Sequence, residues 1–323
     1  MNPFWTRETY RKSVESAARA VVGAKALKGR HVLVTGAGGL VGSFVTDVLA
    51  ACDAVVSVAG RNQESLHTRF PEAQVLYYNL EEDIAFSQPF DYIIHGAGYG
   101  HPAAFREDPA GVLLNSVNGT SRLLQYAAEH HVKRFLLVSS GEVYGHVDSM
   151  TARACYPVGK QAAETMCAAY YEKSGLDTVS ARLCHTFGPG FSESDNRAAT
   201  QFLRHALRGE DIVLKSRGGQ RRSWLYAADS ASAILSVLAA GESGKACDIA
   251  SKDCVATIAE LAGIMAEAAG VTVRYEIPDE TAVKEQSPIA EQVLDAGALA
   301  RLGWKAVYTL RTGVEAALRD CGK

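Results

Sequence analysis

His31-Val-Leu-Val-Thr35-Gly36-Ala37-Gly38-Gly39-Leu40-Val41-Gly42 is the stretch on which the fold turns. It opens with a short β-branched run and passes through glycines, after which Phe44, Val45, Val48 and Leu49 take up helical spacing. The reading is strand, tight turn, helix. Glycines let the backbone turn sharply and approach a pyrophosphate, whose charge then rests on the free N–H groups and positive dipole end of the helix. Gly36, Gly39 and Gly42 are spaced G-x-x-G-x-x-G rather than the commoner G-x-G-x-x-G. Following a strand near the head of the chain, the turn points to dinucleotide binding, with Leu40 and Val41 opening the helix; an ordinary turn is the alternative.

Outward from this stretch, strands and helices alternate. Strands are expected at Ala54 to Val58, Val75 to Tyr78, Tyr92 to His95, Phe135 to Ser139 and Thr178 to Leu183, and helices at about Ala110 to His131 and Tyr156 to Lys173. Such alternation means a parallel sheet covered on both faces, an α/β Rossmann doubly wound fold. Ligands then bind beyond the carboxyl ends of the strands, where Gly36, Gly60, His95-Gly96-Ala97-Gly98 and Ser139-Ser140 all fall. After Leu183 the alternation breaks into a stretch rich in Gly, Ser, Arg and Asp up to Arg222, and Thr257-Ile-Ala-Glu260 opens a later helix with a capping box. A smaller, discontinuous C-terminal substrate domain is expected. The division is 1–29 as a helical extension, 30–183 plus about 224–250 as the dinucleotide domain, and about 184–223 plus 251–323 as the substrate domain. Residues 5 to 22 are expected to form an amphipathic helix that buries Trp5, Val14, Ala18 and Val21 against the domain or a second subunit.

The second strand should end at the residue that reads the adenosine ribose, where an acid favours NAD and an arginine accommodates the 2′-phosphate of NADP. Ala59-Gly60-Arg61-Asn62 holds no acid there, so the cofactor is NADP or NAD with NADP favoured by Arg61; a solvated helix-start arginine is the alternative.

Ser139-Ser140-Gly141-Glu142-Val143-Tyr144-Gly145 and Cys155-Tyr156-Pro157-Val158-Gly159-Lys160 place a hydroxyl, a carboxylate, a phenol and an amine where a strand ends and a helix begins. On a helix Tyr156 and Lys160 share one face at i, i+4. A cation beside the phenol favours the phenolate and makes Tyr156 a usable general base, with Ser140 able to hydrogen-bond the same substrate oxygen. Such a device moves a proton on or off an alcohol while a hydride leaves or reaches its carbon.

At 323 residues, 47% hydrophobic and 21% charged, the chain has the composition of a soluble globular protein. A formal net charge of -3 gives no electrostatic footprint for nucleic acid or an anionic membrane, and no long apolar run spans a bilayer. The seven cysteines form no C-x-x-C pair and no metal-ligand spacing, which suits reduced thiols, a cytoplasmic setting and no structural metal.

Taken in order, these motifs resemble an extended short-chain dehydrogenase/reductase of the nucleotide-sugar epimerase, dehydratase and decarboxylase group. Beyond the glycine turn and Tyr156-x-x-x-Lys160, His95-Gly-Ala97 resembles the family's cofactor-side turn and Asn115-Ser-Val-Asn-Gly-Thr120 its N-x-x-G-T helix. Arg182-Leu-Cys-His-Thr-Phe-Gly-Pro189 is similar to R-x-x-N-x-x-G-P, Gln220-Arg-Arg-Ser-Trp-Leu-Tyr-Ala-Ala-Asp229 to Q-x-R-D-W-x-Y-V-x-D, and Leu302-Gly-Trp304 to the terminal L-G-W. The resemblance implies a redox triad of Ser140, Tyr156 and Lys160, with Tyr156 and Lys160 also cofactor-binding and Lys160 holding the nicotinamide ribose, and a cofactor wall that includes Asn79, Leu80, Gly96, Ala97 and Asn115. Gly141, His185, Arg197 and Arg222 would border a nucleotide-diphosphate sugar, with Arg222 at the diphosphate or, alternatively, paired with Asp229. It also implies a homodimer through the helices at Ala110 to His131 and Tyr156 to Lys173.

Glu142 stands where 4,6-dehydratases and UDP-glucuronate decarboxylases carry a glutamate able to act at C5 once C4 is a ketone. The dehydratases with an Asp-Glu pair would need an acid at Gly141, and Arg153 to Cys167 is very similar to the decarboxylase segment. A decarboxylase-like reaction is therefore favoured over dehydration, 4-epimerisation and ketoreduction, with a non-catalytic dinucleotide-binding protein as a remote alternative. Four features depart from the decarboxylase pattern: Pro157-Val158 in place of an acidic pair, His185 in place of Asn, a shortened loop before Tyr156, and Gly60-Arg61 in place of the NAD-selecting acid.

Overall fold

The computed structural model describes residues 3–145, 148–277 and 289–322. In chain order the elements are α1 (Glu8–Ala20), β1 (His31–Thr35), α2 (Leu40–Ala51), β2 (Val55–Gly60), α3 (Gln63–Arg69), β3 (Gln74–Tyr77), β4 (Tyr92–His95), α4 (Pro102–Glu107), α5 (Pro109–Glu129), β5 (Arg134–Ser140), α6 (Cys155–Ser174), β6 (Thr178–Leu183), β7 (His185–Phe187), α7 (Ala198–Arg208), β8 (Ile212–Leu214), β9 (Arg221–Tyr226), α8 (Ala227–Ala240), β10 (Ala246–Ile249), β11 (Val255–Thr257), α9 (Ile258–Ala269), β12 (Val273–Tyr275), β13 (Glu291–Gln292), α10 (Gly297–Leu302) and α11 (Leu310–Cys321).

Seven strands form one sheet in the order β3-β2-β1-β4-β5-β6-β10. Every neighbouring pair in it is parallel. Strand order reverses between β1 and β4, so a crevice opens beyond the carboxyl ends of those two strands. The apolar runs of β1 and β5 are buried on both faces, as a sheet sandwiched between helices requires. One face packs α1, α2 and α8 around Phe44, Val48, Ile234 and Leu235. The other packs α5 and α6 around Leu123, Leu124, Phe135 and Ala163. No helix among the described residues is long and apolar enough to cross a membrane.

A four-stranded sheet of β11, β9, β13 and β7 and a two-stranded one of β8 and β12 lie in the second half of the chain. The stretch after Leu183 that reads as irregular in sequence holds α7, whose Ala199, Phe202, Leu203 and Ala206 are buried at helical spacing among its arginines. The capping box at Thr257 and Glu260 forms at the head of α9. At the N-terminus α1 is shorter than expected and Trp5 lies in a preceding 3-10 turn, partly buried. Val14 and Val21 are buried within this chain, so that face of the helix docks on the chain's own core.

Candidate active site

The expected glycine turn is bare backbone for a physical reason. Gly36 has φ +77, and a Cβ there would lie 2.6 Å from Gly96 C and O, so only glycine lets the β1 and β4 turns meet. A Cβ on Gly42 would lie 2.1 Å from Gly36 O, which makes Gly42 the seat on which α2 approaches the turn. Gly39 precedes α2 and supplies no side-chain cap, leaving the first N–H groups of the helix for an anion. A cleft of about 290 Å³ opens above them.

Of the expected cofactor residues, Gly36, Gly39, Arg61, Asn79, Leu80, Ala97 and Asn115 line this cleft. Leu40, Val41, Gly42 and Gly96 do not; Leu40 is core, and Gly42 and Gly96 support the turn from beneath. β2 runs two residues further than expected, so Arg61 lies just past its end, exposed, with its guanidinium 6.0 Å from the Tyr99 ring centroid. Asn62 caps α3 by accepting from Ser65 N. Beneath the cleft His95 is buried and shares a 2.8 Å hydrogen bond with Thr35 Oγ1. Burial pushes its imidazole down to about 3, so it stays neutral.

The floor of the cleft continues through Gly98 and Tyr99 to Gly100, where a Cβ would stand 3.9 Å from the Tyr156 hydroxyl. Tyr156 and Lys160 both lie on α6. Lys160 Nζ donates to the Val138 carbonyl at 2.8 Å, and burial pushes its amine down to about 8. Burial likewise pushes the Tyr156 phenol up to about 12, opposed by the Ser140 hydroxyl and the charges of Arg197 and Arg153. The direction expected from Lys160 alone is therefore reversed, because desolvation of the phenol outweighs every cation around it. Ser140 ends β5 and its Oγ also accepts from Glu142 N at 3.2 Å.

Glu142 lies in a 3-10 turn, Gly141–Tyr144, and its Oε2 is 2.7 Å from Arg153 Nη2. Arg153 is a residue of this cluster to which the sequence reading gave no role, although it sits three positions before Tyr156. Its guanidinium lies 5.1 Å from the Phe105 ring centroid, and Phe105, on the unanticipated α4, stacks on Tyr156 at 4.7 Å and 22°. Arg153 Nη1 is buried with no hydrogen-bond partner among the described residues. Gly141 is backed by Leu294, whose Cδ2 would lie 2.8 Å from a Cβ at that position.

Three further expected residues reach the same place. His185 on β7 packs against Trp224 and is pushed down to about 3 by burial, then by Arg222 and Arg197. Arg197 is clamped by the buried Asp195 at 2.6 Å. Arg222 is buried, and burial lowers its guanidinium while Glu142 raises it. It pairs not with Asp229 but with main-chain carbonyls, reaching Ile289 O at 2.5 Å and Ala290 O at 3.3 Å. Asp229 instead accepts from the Val307 and Tyr308 N–H groups, at 2.8 and 3.0 Å. The arrangement is a phenol and a carboxylate ringed by Arg153, Arg197 and Arg222 beside a glycine-floored cleft, fit for proton transfer on an anionic, phosphate-bearing alcohol.

Residues 32–250 match the NAD dependent epimerase/dehydratase family. The chain is 31% identical over 228 residues to UDP-glucuronic acid decarboxylase 1 of Xenopus tropicalis, covering 65% of this chain and 53% of that one. It is 28% identical over 312 residues to UDP-glucuronic acid decarboxylase 2 of Arabidopsis thaliana, covering 91% and 68%. The chain thus spans about half the length of the first of these relatives. Among solved structures it resembles the epimerase Mth375 of Methanothermobacter thermautotrophicus, with a TM-score of 0.79, 23% identity and coverage of 93% and 94%, a likeness of fold.

Proposed function

This chain belongs to the NAD-dependent epimerase/dehydratase family, and on that footing we propose that it remodels a nucleotide sugar through transient oxidation at C4, with decarboxylation of UDP-glucuronate as the leading reaction. One observation carries the choice: Arg153 holds Glu142 with one nitrogen and keeps a second, buried donor that finds no hydrogen-bond partner among the described residues. A buried unpaired donor is unfavourable unless a ligand completes it, and a sugar carboxylate is the acceptor that a guanidinium suits best. The relatives named as UDP-glucuronic acid decarboxylases support the same reading.

The glycine turn, the uncapped α2 terminus and Asn115 fit a nicotinamide dinucleotide, and Arg61 at the end of β2 favours NADP over NAD. Bound there, the dinucleotide would supply removal and return of the hydride at C4. Tyr156, as the phenolate that the Ser140 hydroxyl and the charges of Arg197 and Arg153 favour against its burial, takes the proton of the C4 hydroxyl and later gives it back, with Ser140 hydrogen-bonding the same oxygen. Lys160 contributes its charge from one turn along the helix. Arg222, Arg197 and His185 border the nucleotide diphosphate and the sugar. Once C4 is a ketone, the carboxylate on C5 is β to it, so loss of carbon dioxide needs little further help; Arg153 and Glu142 orient the departing group and govern protonation at C5.

The dehydratase type with an Asp-Glu pair is disfavoured, because the position before Glu142 that would carry the first acid is Gly141. A 4-epimerase or ketoreductase is the second reading, favoured by the ion pair that keeps Glu142 occupied. Two copies are expected to pair through α5 and α6, on which Leu114 and Tyr171 are exposed.

The test is product mass after incubation with UDP-, GDP-, CDP- and dTDP-sugars, UDP-glucuronate among them. Release of carbon dioxide from UDP-glucuronate is the expected result, and silence toward it with turnover of a neutral sugar would defeat the decarboxylase assignment. Glu142→Gln should cut product formation by about 100-fold, in the range of a lost acid or base; unchanged turnover would remove Glu142 from chemistry at C5.

A further inference from the structure

One turn beyond Lys160 on α6 lies an ionic cluster that the reaction above leaves unused. Glu164 accepts from Arg182 Nε at 3.0 Å and from Arg182 Nη2 at 2.7 Å, and it also accepts from Ser139 Oγ. Its side chain is only 12% exposed, and that of Arg182 24%. Arg182 is fixed in turn: its Nη1 donates to the Tyr144 hydroxyl at 2.6 Å, and Tyr144 donates to Asp248 at 2.9 Å. Lys160 itself is tied to the Val138 carbonyl, one residue before Ser139 on the same strand. Two successive turns of α6 are thus pinned to two successive residues at the end of β5, the first by a cation and the second by an anion.

We propose that Glu164, clamped by Arg182 and Ser139, is the positioning residue that holds Lys160 in its charged form one helical turn from Tyr156.

A partly buried ammonium whose hydrogen bond goes to a neutral carbonyl is unfavourable without a nearby anion. Glu164 opposes the burial that depresses Lys160. The other groups coupled to Lys160 are Cys167 on α6 and His95 on β4. Burial pushes the Cys167 thiol up to about 12 and the His95 imidazole down to about 3, so both are neutral near pH ~7. Where α5 packs closely on this stretch, at Gly159, it presents the uncharged Leu113 and Ser116. From β6 Arg182 acts on the carboxylate, and Tyr144 in the 3-10 turn holds Arg182. Glu164 is therefore the anion this lysine works against. Were it a simple staple between α6 and β6, hydrogen bonding alone would serve and its charge would be dispensable.

The inference rests on Lys160 serving Tyr156, but its test is read without turnover. In the cofactor-loaded enzyme carrying 13C-labelled lysine, Lys160 is identified by the resonance lost in Lys160→Arg, and its titration midpoint is followed by NMR. Glu164→Gln should lower that midpoint by about one pH unit or more, Glu164→Asp by less than about half a unit, and Thr165→Ala, on the exposed face, not at all. Where Glu164→Gln does not fold, Arg182→Met, which removes a competing cation, should raise the midpoint. An unmoved midpoint in Glu164→Gln, an equal shift in Thr165→Ala, or a fall in Arg182→Met would overturn the assignment. A wrong sugar would leave the titration untouched, and a failed titration would leave the reaction standing.

Discussion

Arg153 Nη2 holds Glu142 Oε2 at 2.7 Å while Arg153 Nη1, buried, has no hydrogen-bond partner among the described residues. The geometry of a guanidinium makes this half-used fork meaningful, because its donors are fixed in one plane and the second cannot swing away to find water. Arg153→Gln should therefore lose the preference for UDP-glucuronate over UDP-glucose by about tenfold or more in calorimetric binding, while UDP alone binds as before. Parallel loss for all three ligands would mean that Arg153 supports the pocket rather than reads the sugar.

The ring of Tyr156 is stacked on Phe105 at 4.7 Å, whereas the proton transfer proposed for it belongs to the hydroxyl. Tyr156→Phe keeps the stack and should leave melting temperature and cofactor binding unchanged, while kcat drops by about 1,000-fold, as expected for a lost proton-transfer group. Turnover within about tenfold of the parent enzyme would transfer that role elsewhere.

Arg61 is exposed and reaches Tyr99, with no acid beside it at the end of β2. Arg61→Ala should weaken NADP by about tenfold or more and leave NAD nearly unchanged, since an arginine facing a 2′-phosphate acts on only one of the two cofactors. Equal affinities of the parent protein for NAD and NADP would take Arg61 out of cofactor choice.

The sheet and the glycine turn were legible because both are local. A β-branched run and helical spacing within one window place β1 and α2, and the glycines follow from what a Cβ would strike. Tyr156 and Lys160 were legible through one helical period. Arg153, Phe105 and Leu294 were not, because each earns its place by contact with a residue distant in sequence or on a six-residue helix, α4, too short to show a period. The phenol's direction was misread for a related reason: spacing reveals a neighbouring cation but not the depth of burial, and here burial decides. α7 was hidden differently, its apolar stripe interrupted by arginines that solvate the opposite face.

His95 and His185 are both held neutral by burial, each pushed down to about 3. An unfolded chain takes up a proton on each near pH ~6.5, which the folded protein refuses, so stability is complete above that pH and declines as pH falls toward the folded values. Each histidine adds a slope of at most about 1.4 kcal/mol per pH unit in that window. Asp229, pushed up to about 6 by burial, acts with the opposite sign, binding its proton more tightly when folded and so favouring the fold as pH falls through the same range. Wild-type pH dependence therefore mixes the two, and a difference between variants separates them. His185→Asn replaces the ring by an uncharged amide, the residue type the family pattern carries there, and leaves Asp229 in place. The stability lost between pH ~7 and pH ~5, measured by urea unfolding, should shrink by up to about 2 kcal/mol in His185→Asn. A gap of the same size in both proteins would mean that His185 takes up its proton without unfolding and is open to solvent in the site.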